Sequence, residues 1–482
     1  MSATSPLEHE ASRGPAIVAR LERLEVWSLS YSFIAIIGLG FLFTFYDIFD
    51  INVSFIQTCA EIKPGCTPQT ALGSLPLPVV LNLAGYVVGT LLLSPLADRF
   101  GRRNMLLVTM LVTGLGSLYN AFAPDYTNFI IARVVTGIGI GADLAIVNTY
   151  INEVAPRRAR AKFTTLIFIM SALGAVVGIW LGLVLTTPAE AWPLGLPFAR
   201  ASESFTTGWR WMYGIGAILA LVAIVLRVEL PESPRWLINH RRDDDADRIV
   251  TDMEARAMRH GPLAEPAADL PQELVEPPSP VPYRDLFTHP LYLRRMMLLL
   301  ALWFIGYITV YSYASGFTSV LSALKYPPPE AGVIAAVGSF GFVAAAVVMT
   351  FVVEGLERRH WLPIAAVVTL VGAVLIAVAG TQIGIAFLGS ILVFAGFNLW
   401  VSPTYALSAE CFPTRARTTG FAVVDGVGHL GGGIGVLVIA PFLPHMSTLG
   451  ALLLISSFLV VAAVIAQFTP HTRNRHLDHI SP

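Results

Sequence analysis

Apolar residues along this chain gather into twelve long stretches, each closed by charged residues, prolines or glycines. A helix that crosses a bilayer needs about 20 mostly apolar residues, because each residue rises about 1.5 Å and the hydrocarbon core is about 30 Å thick. The stretches predict spanning helices from Tyr31 to Phe55, Leu75 to Ala97, Met105 to Phe122, Asn128 to Ile151, Phe163 to Leu185, Trp209 to Glu229, Met296 to Leu321, Ala331 to Val353, Leu362 to Gly380, Ile383 to Leu407, Thr419 to Leu443 and Leu449 to Phe468. One long polar interruption separates the sixth from the seventh. It opens on Arg241, Arg242, Asp243, Asp244 and Asp245 and runs through a Pro-rich stretch to Arg295. Its first half is expected to form amphipathic helices lying on the inner membrane surface, and Pro262 to Pro282 to be irregular. The pattern predicts an all-α membrane protein of twelve transmembrane helices in two six-helix bundles, 31–229 and 296–468. A linker at 230–295 joins them, and segments 1–30 and 469–482 flank them.

Composition narrows the class. With 55% hydrophobic and 13% charged residues and a mean hydropathy of +0.67, the 482 residues carry more apolar surface than soluble cores can hide. A net charge of -1 and a pI near 6.8 exclude the basic footprint that nucleic acid selects. Met1 to Leu29 is polar and mixed in charge, so no cleavable signal is expected and the first span targets the membrane. Loops rich in arginine stay on the cytoplasmic side. Arg99, Arg102 and Arg103, then Arg157, Arg158, Arg160 and Lys162, then Arg358 and Arg359, then Arg415 and Arg417 fall in alternate loops, so both termini are expected to be cytoplasmic in a cell membrane. Cys59 and Cys66 share one short polar stretch and form either a disulfide or two free thiols, while Cys411 lies apart.

The two halves repeat the same signals at the same places. Asp98, Arg99, Phe100, Gly101, Arg102, Arg103 after the second helix matches Glu354, Gly355, Leu356, Glu357, Arg358, Arg359 after the eighth. Glu153, Pro156, Arg158, Ala159 and Arg160 recur at identical spacing as Glu410, Pro413, Arg415, Ala416 and Arg417. At these residues the chain resembles the major facilitator superfamily. Leu96 to Arg103 is similar to its loop signature, with Ser94 in place of the leading glycine, and Arg133, Gly137, Gly139 and Gly141 are similar to its fourth-helix signature. Trp209-Arg210-Trp211-Met212 and Pro231-Glu232-Ser233-Pro234-Arg235-Trp236-Leu237 are similar to sugar-porter-type members and their metabolite:proton symporter relatives.

The inner carboxylates Asp98, Glu153, Glu354 and Glu410 beside Arg102, Arg160, Arg358 and Arg417 are expected to form a cytoplasmic gate that holds the ends of the two bundles together and breaks on inward opening. Charged groups inside a span cost at least about 2.5 to 3.5 kcal/mol on insertion scales, so each needs a reason. Asp47 and Asp50 in the first helix are three apart, on one face, and two such carboxylates resist ionising together, which suits a proton carrier. Arg133 and Asp143 in the fourth helix are about 15 Å apart along its axis, too far to pair. Arg133 is therefore expected to reach Asp47 or Asp50, leaving Asp143 free to take a proton or meet substrate. Asp425 and His429, four apart, stack on one face of the eleventh helix.

The first- and fourth-helix runs around Asp47 and Asp143 look most like the phosphate:proton symporter branch, but Tyr307 and Thr44 stand where that branch has carboxylates, and His429 where it has a lysine. Sugar porters carry glutamine pairs in helix 7, which has none here. Trp303, Tyr307, Tyr311 and Tyr313, with Asn398, Trp400 and Tyr405, offer rings to stack and groups to hydrogen-bond a solute. The residues together predict a proton-coupled symporter of a small polar metabolite, a sugar or an organic acid, working by alternating access in the bilayer as a monomer. Proton coupling would fall to Asp47, Asp50, Asp143 and Arg133, and substrate contact to Trp303, Tyr307, Tyr311, Asn398, Asp425 and His429. A phosphate symporter and a nutrient receptor are the alternatives. No metal spacing or nucleophile elbow appears, so neither a metal, a cofactor nor an enzyme is expected.

Overall fold

The computed structural model describes residues 13–24, 28–29, 31–154, 160–259, 261–265, 283–412 and 417–473; these are helical apart from connections and isolated β-bridges at 188/201 and 202/205. Among the described residues, twelve helices are long and apolar enough to cross a membrane: α1 (Tyr31–Phe49), α2 (Ala71–Leu93), α3 (Arg102–Ala121), α4 (Tyr126–Ile151), α5 (Leu166–Thr186), α6 (Gly208–Arg227), α7 (Pro290–Ala314), α8 (Pro328–Gly355), α9 (Arg358–Val378), α10 (Ile383–Glu410), α11 (Thr419–Ile439) and α12 (Thr448–Ala466).

Packing repeats with the sequence. In the first bundle α1 lies on α5, α2 on α4, and α3 on both α4 and α6. In the second, α7 lies on α11, α8 on α10, and α9 on both α10 and α12, the same neighbours six helices later. Because lipid tails are as apolar as leucine, spanning helices associate through close approach at small residues. A Cβ at Gly137 or Gly141 of α4 would run into the carbonyls of Asn82 and Tyr86 on α2. The bundles meet each other along α2 against α11 and α5 against α8.

Two of the long helices are interrupted. The first apolar helix breaks at Asp50 and resumes as Ile51–Ile62, so it outruns its expected end at Phe55 and finishes at the Cys59–Cys66 disulfide. The two cysteines are therefore bridged, and Cys411 is a buried free thiol. Helix α10 is interrupted at Trp400, three residues before Pro403, which cannot donate to the carbonyl of Leu399. Beside the disulfide end the bundles are joined. The Asn52 amide donates to the carbonyls of Tyr313 at 2.8 Å and Ala314 at 2.7 Å, and Thr318 donates to its oxygen at 2.8 Å.

The linker differs from expectation. Helix Asp243–Ala257 is amphipathic, but Ala246, Val250, Met253 and Ala257 pack with Ile17 and Leu21 of an unforeseen N-terminal helix, Gly14–Glu22, with Leu24 just beyond it, and with Trp236 and Leu237 rather than lying on lipid. Arg20 and Arg23 converge on the buried Glu254 at 2.7 and 2.6 Å. Protein thus covers the apolar face that a membrane was expected to cover. Most of the stretch from Pro262 to Pro282 lies outside the described residues.

Candidate functional site

Three groups of ionisable side chains are buried at span depth. The first joins α1, α3 and α4. The helical spacing of Asp47 and Asp50 turns both toward Arg133, whose Nη1 stands 3.6 Å from Asp47 Oδ2 and 3.5 Å from Asp50 Oδ1 and donates to the Asp47 carbonyl at 3.1 Å. Ser117 donates to Asp47 Oδ1 at 2.8 Å, and the Tyr213 ring lies 6.0 Å from the guanidinium carbon. These charges are at most 3% exposed, and Asp47 Oδ2 and both Asp50 oxygens have no hydrogen-bond partner among the described residues. Asn82, donating to the Arg133 carbonyl at 2.6 Å, fixes α2 to α4 beneath the arginine. Arg133 was expected to reach Asp47 or Asp50, and in this geometry it stands beside both. One guanidinium faces two carboxylates, and burial makes that imbalance costly.

The second group corrects the reading of Asp143. It is not free: Arg227, at the end of α6, clasps it with Nη1–Oδ1 at 2.5 Å and Nη2–Oδ2 at 3.1 Å, and Thr109 donates to Oδ1 at 2.9 Å. Both charged side chains are wholly buried. Room for the guanidinium comes from Gly40 on α1, where a Cβ would overlap it. The sequence reading placed Asp143 only against Arg133 of its own helix and did not consider Arg227. An arginine within the last turn of an apolar helix was the signal.

The third group lies where α2 and α11 bring the bundles together. Asp425 Oδ2 accepts from the Tyr86 hydroxyl of α2 at 3.1 Å and Oδ1 from the Tyr307 hydroxyl of α7 at 3.2 Å. His429 Nδ1 is 2.7 Å from the Asp425 carbonyl and 3.5 Å from Asp425 Oδ1. Its ring stacks against Tyr86 at 4.2 Å and against Tyr307 at 4.1 Å. Trp303, Trp400, Tyr311 and Tyr405 enclose this pair, with Trp303 lying 4.9 Å from both Tyr307 and Trp400. Trp303, Tyr307, Tyr311, Asp425 and His429 are thus brought together as expected. Asn398 stands apart: its amide donates to the Phe342 carbonyl at 2.9 Å, and it lines a small cleft with Phe168, Met349 and Ser402. Tyr86 was missed, because a lone tyrosine in an apolar helix carries no spacing signal. One turn further on, α2 widens into a π-helical turn at Gly89–Leu93, a feature often found beside functional residues.

The expected gate is built differently. Arg102 pairs with Asp98 at 2.8 Å and Glu153 at 2.9 Å, and Arg358 with Glu354 at 3.0 Å and Glu410 at 3.7 Å. Each of these pairs lies inside one bundle, because α3 packs beside α4 and α9 beside α10, so each arginine meets its own bundle's acids first. The side chains of Arg160 and Arg417 lie outside the described residues. Glu232, held above the usual carboxylate range by burial, accepts from the backbone N–H groups of Arg102 at 2.9 Å and Arg103 at 3.3 Å and caps α3. Gly101, at φ +97°, lets that carboxylate approach.

A family model described as "Sugar (and other) transporter" matches residues 31–482. The niacin transporter NiaP of Acinetobacter baylyi is 25% identical over 96% of this chain and 99% of its own length. The 4-hydroxybenzoate transporter PcaK of Pseudomonas putida is 28% identical over 83% of this chain and 84% of its own. Among solved structures, the partially occluded inward-open xylose transporter XylE from E. coli superposes with a TM-score of 0.70 at 20% identity, covering 92% of this chain and 99% of that one. A crystal structure of a D-xylose–proton symporter gives 0.68 at 19% identity over 92% and 99%.

Proposed function

The chain belongs to the sugar (and other) transporter family of the major facilitator superfamily, a family of metabolite transporters and not of enzymes, and from that premise we propose that it couples the movement of a small polar organic metabolite to protons by alternating access. The observation that carries the coupling is the buried set Asp47, Asp50 and Arg133. Two carboxylates against one guanidinium leave an unbalanced negative charge, and one proton cancels it. Asp47 faces Asp50 on its own helix, Ser117 on α3 and Arg133 on α4. A proton on Asp47 removes one of the two charges that hold Arg133, which loosens α1 from α4. The break at Asp50 allows the outer part of that helix to move separately.

The metabolite site of this reading is the ring-lined centre at Asp425 and His429, where Tyr86 of one bundle bonds Asp425 of the other. Rocking of the bundles must break or re-aim that bond, so occupancy there biases the two openings. Sugars and organic acids are the classes expected from the sequence, and niacin, 4-hydroxybenzoate and xylose in the relatives' names are all ring-forming compounds that aromatic walls can stack. Inorganic phosphate offers no such face. Asp143, expected to couple protons, becomes on its pairing with Arg227 a brace of the first bundle. The gate arginines Arg102 and Arg358 fasten each bundle's arginine-rich end to itself. The protein is taken to act as a monomer in the plasma membrane, with both termini cytoplasmic by the arginine distribution.

A thermal-shift panel of ring compounds, sugars and phosphate on the purified chain selects a solute, and its uptake is then followed in proteoliposomes with and without an inward proton gradient. Wild type accumulates it only with the gradient. Asp47→Asn loses accumulation yet keeps solute exchange at equal pH. Gradient-driven accumulation by Asp47→Asn at the wild-type level overturns the coupling.

A further inference from the structure

The four spans that meet at Asp425 are α2, α7, α10 and α11, and their polar inventory is short. Their amide side chains are Asn82 and Asn398, and each amide donates to a backbone carbonyl, of Arg133 at 2.6 Å and of Phe342 at 2.9 Å. Their cationic side chains are Arg294 and Arg295, about 12 Å along α7 from Trp303 toward its start. Arg133 and Arg227 of the neighbouring spans are committed to Asp47 with Asp50, and to Asp143. At mid-depth, then, these four spans present a single fixed charge, the Asp425 carboxylate, only 5% exposed, beside an imidazole. Around it stand the faces of Tyr86, Trp303, Tyr307 and Trp400.

Aromatic faces are negative and a carboxylate is an anion, so an enclosure built of both attracts positive charge and repels a second carboxylate. A sugar is recognised through several amides and donors at once, and the two amides of these spans each already hold a backbone carbonyl. Building on the reading of this centre as the metabolite site, we propose that the transported solute is an organic cation bearing a ring, its charged nitrogen against Asp425 and its ring among Trp303, Tyr307 and Trp400. The cation supplies the charge that Asp425 lacks, and Tyr86 and Tyr307 keep the carboxylate aimed at it through their hydroxyls. The indole N–H of Trp400, without a hydrogen-bond partner among the described residues, is left to donate to an acceptor elsewhere on the solute.

The test uses one ring in three charge states, benzylamine, benzyl alcohol and benzoate, with D-glucose as the sugar, on the detergent-purified full chain at pH 8, where an ordinary imidazole is neutral. Thermal shift and tryptophan fluorescence report binding. Benzylamine is expected to bind about tenfold or more tightly than benzyl alcohol, with benzoate and glucose weaker still, and Asp425→Asn is expected to erase that preference while sparing the alcohol. Tighter binding of benzoate or glucose than of benzylamine, or an Asp425→Asn protein that keeps the preference, overturns the proposal. The wild-type series decides the class even if that variant does not fold. Equilibrium binding needs no gradient, so a failed cation series beside intact gradient-driven uptake of another solute sinks the substrate class alone, and Asp47→Asn that binds but does not accumulate bears on the coupling alone.

Discussion

A buried ion pair is held as much by what happens when it is broken as by its own attraction. Asp143 and Arg227 are both wholly buried, so removing one partner strands the other charge in an apolar bundle, at a cost of about 3 to 5 kcal/mol. Asp143→Asn is therefore expected to lower the melting temperature of the purified protein strongly. The double variant Asp143→Leu with Arg227→Met, which leaves no charge, should recover most of the loss and still accumulate solute. A double variant that folds but cannot couple would return Asp143 to the proton path. Residues whose partners share their helix or the next one were readable from the sequence: Asp47 with Asp50 by a spacing of three, and Asp425 with His429 by a spacing of four. Arg227 and Tyr86 were not, because their partners lie 84 and 339 residues away and only packing brings them close.

Hydropathy found the spans because backbone in lipid must satisfy its own hydrogen bonds, which leaves long apolar helices as the available solution. It could not find the helix Gly14–Glu22, whose apolar side needs a partner to be stable and acquires one in Asp243–Ala257. Nor could it find the breaks at Asp50 and Trp400, since an interrupted helix keeps the same composition. The contact between these two helices outside the spans centres on Glu254. Burial acts to raise its carboxyl, but the bonds and charges of Arg20 and Arg23 outweigh burial and hold it below the usual range. A depressed carboxyl stabilises the folded contact fully above its unfolded value near 4.3 and loses that stabilisation as pH falls through the folded value. Limited proteolysis at the N-terminal helix should accordingly be slow at neutral pH and accelerate under acid. Glu254→Gln should accelerate it already at pH 7, by an amount corresponding to about 2 kcal/mol. Equal protection of wild type and variant at pH 7 would show that the apolar contact alone holds the helix.

At the scale of the whole molecule, the repeat of six helices plus six was legible twice, as paired loop motifs and as the same neighbours recurring six helices later. The paired motifs misled only about what they join, because sequence shows that an acid and an arginine recur but not which bundle each one faces. With Arg102 and Arg358 tied inside their own bundles, the bundles touch through Asn52 at the disulfide end and through Tyr86 and Asp425 at the centre. Under the proposed coupling, protons on the Asp47 set and solute at Asp425 exchange as the bundles rock, without either bundle being remade. Proton movement itself decides the matter. Proteoliposomes loaded with a pH-sensitive dye and given the solute that stabilises the purified chain should show a solute-evoked change of lumenal pH in wild type, and none in Asp47→Asn while exchange of labelled solute persists. Accumulation by wild type without any movement of protons, or an undiminished pH signal in Asp47→Asn, would contradict proton coupling through that carboxylate.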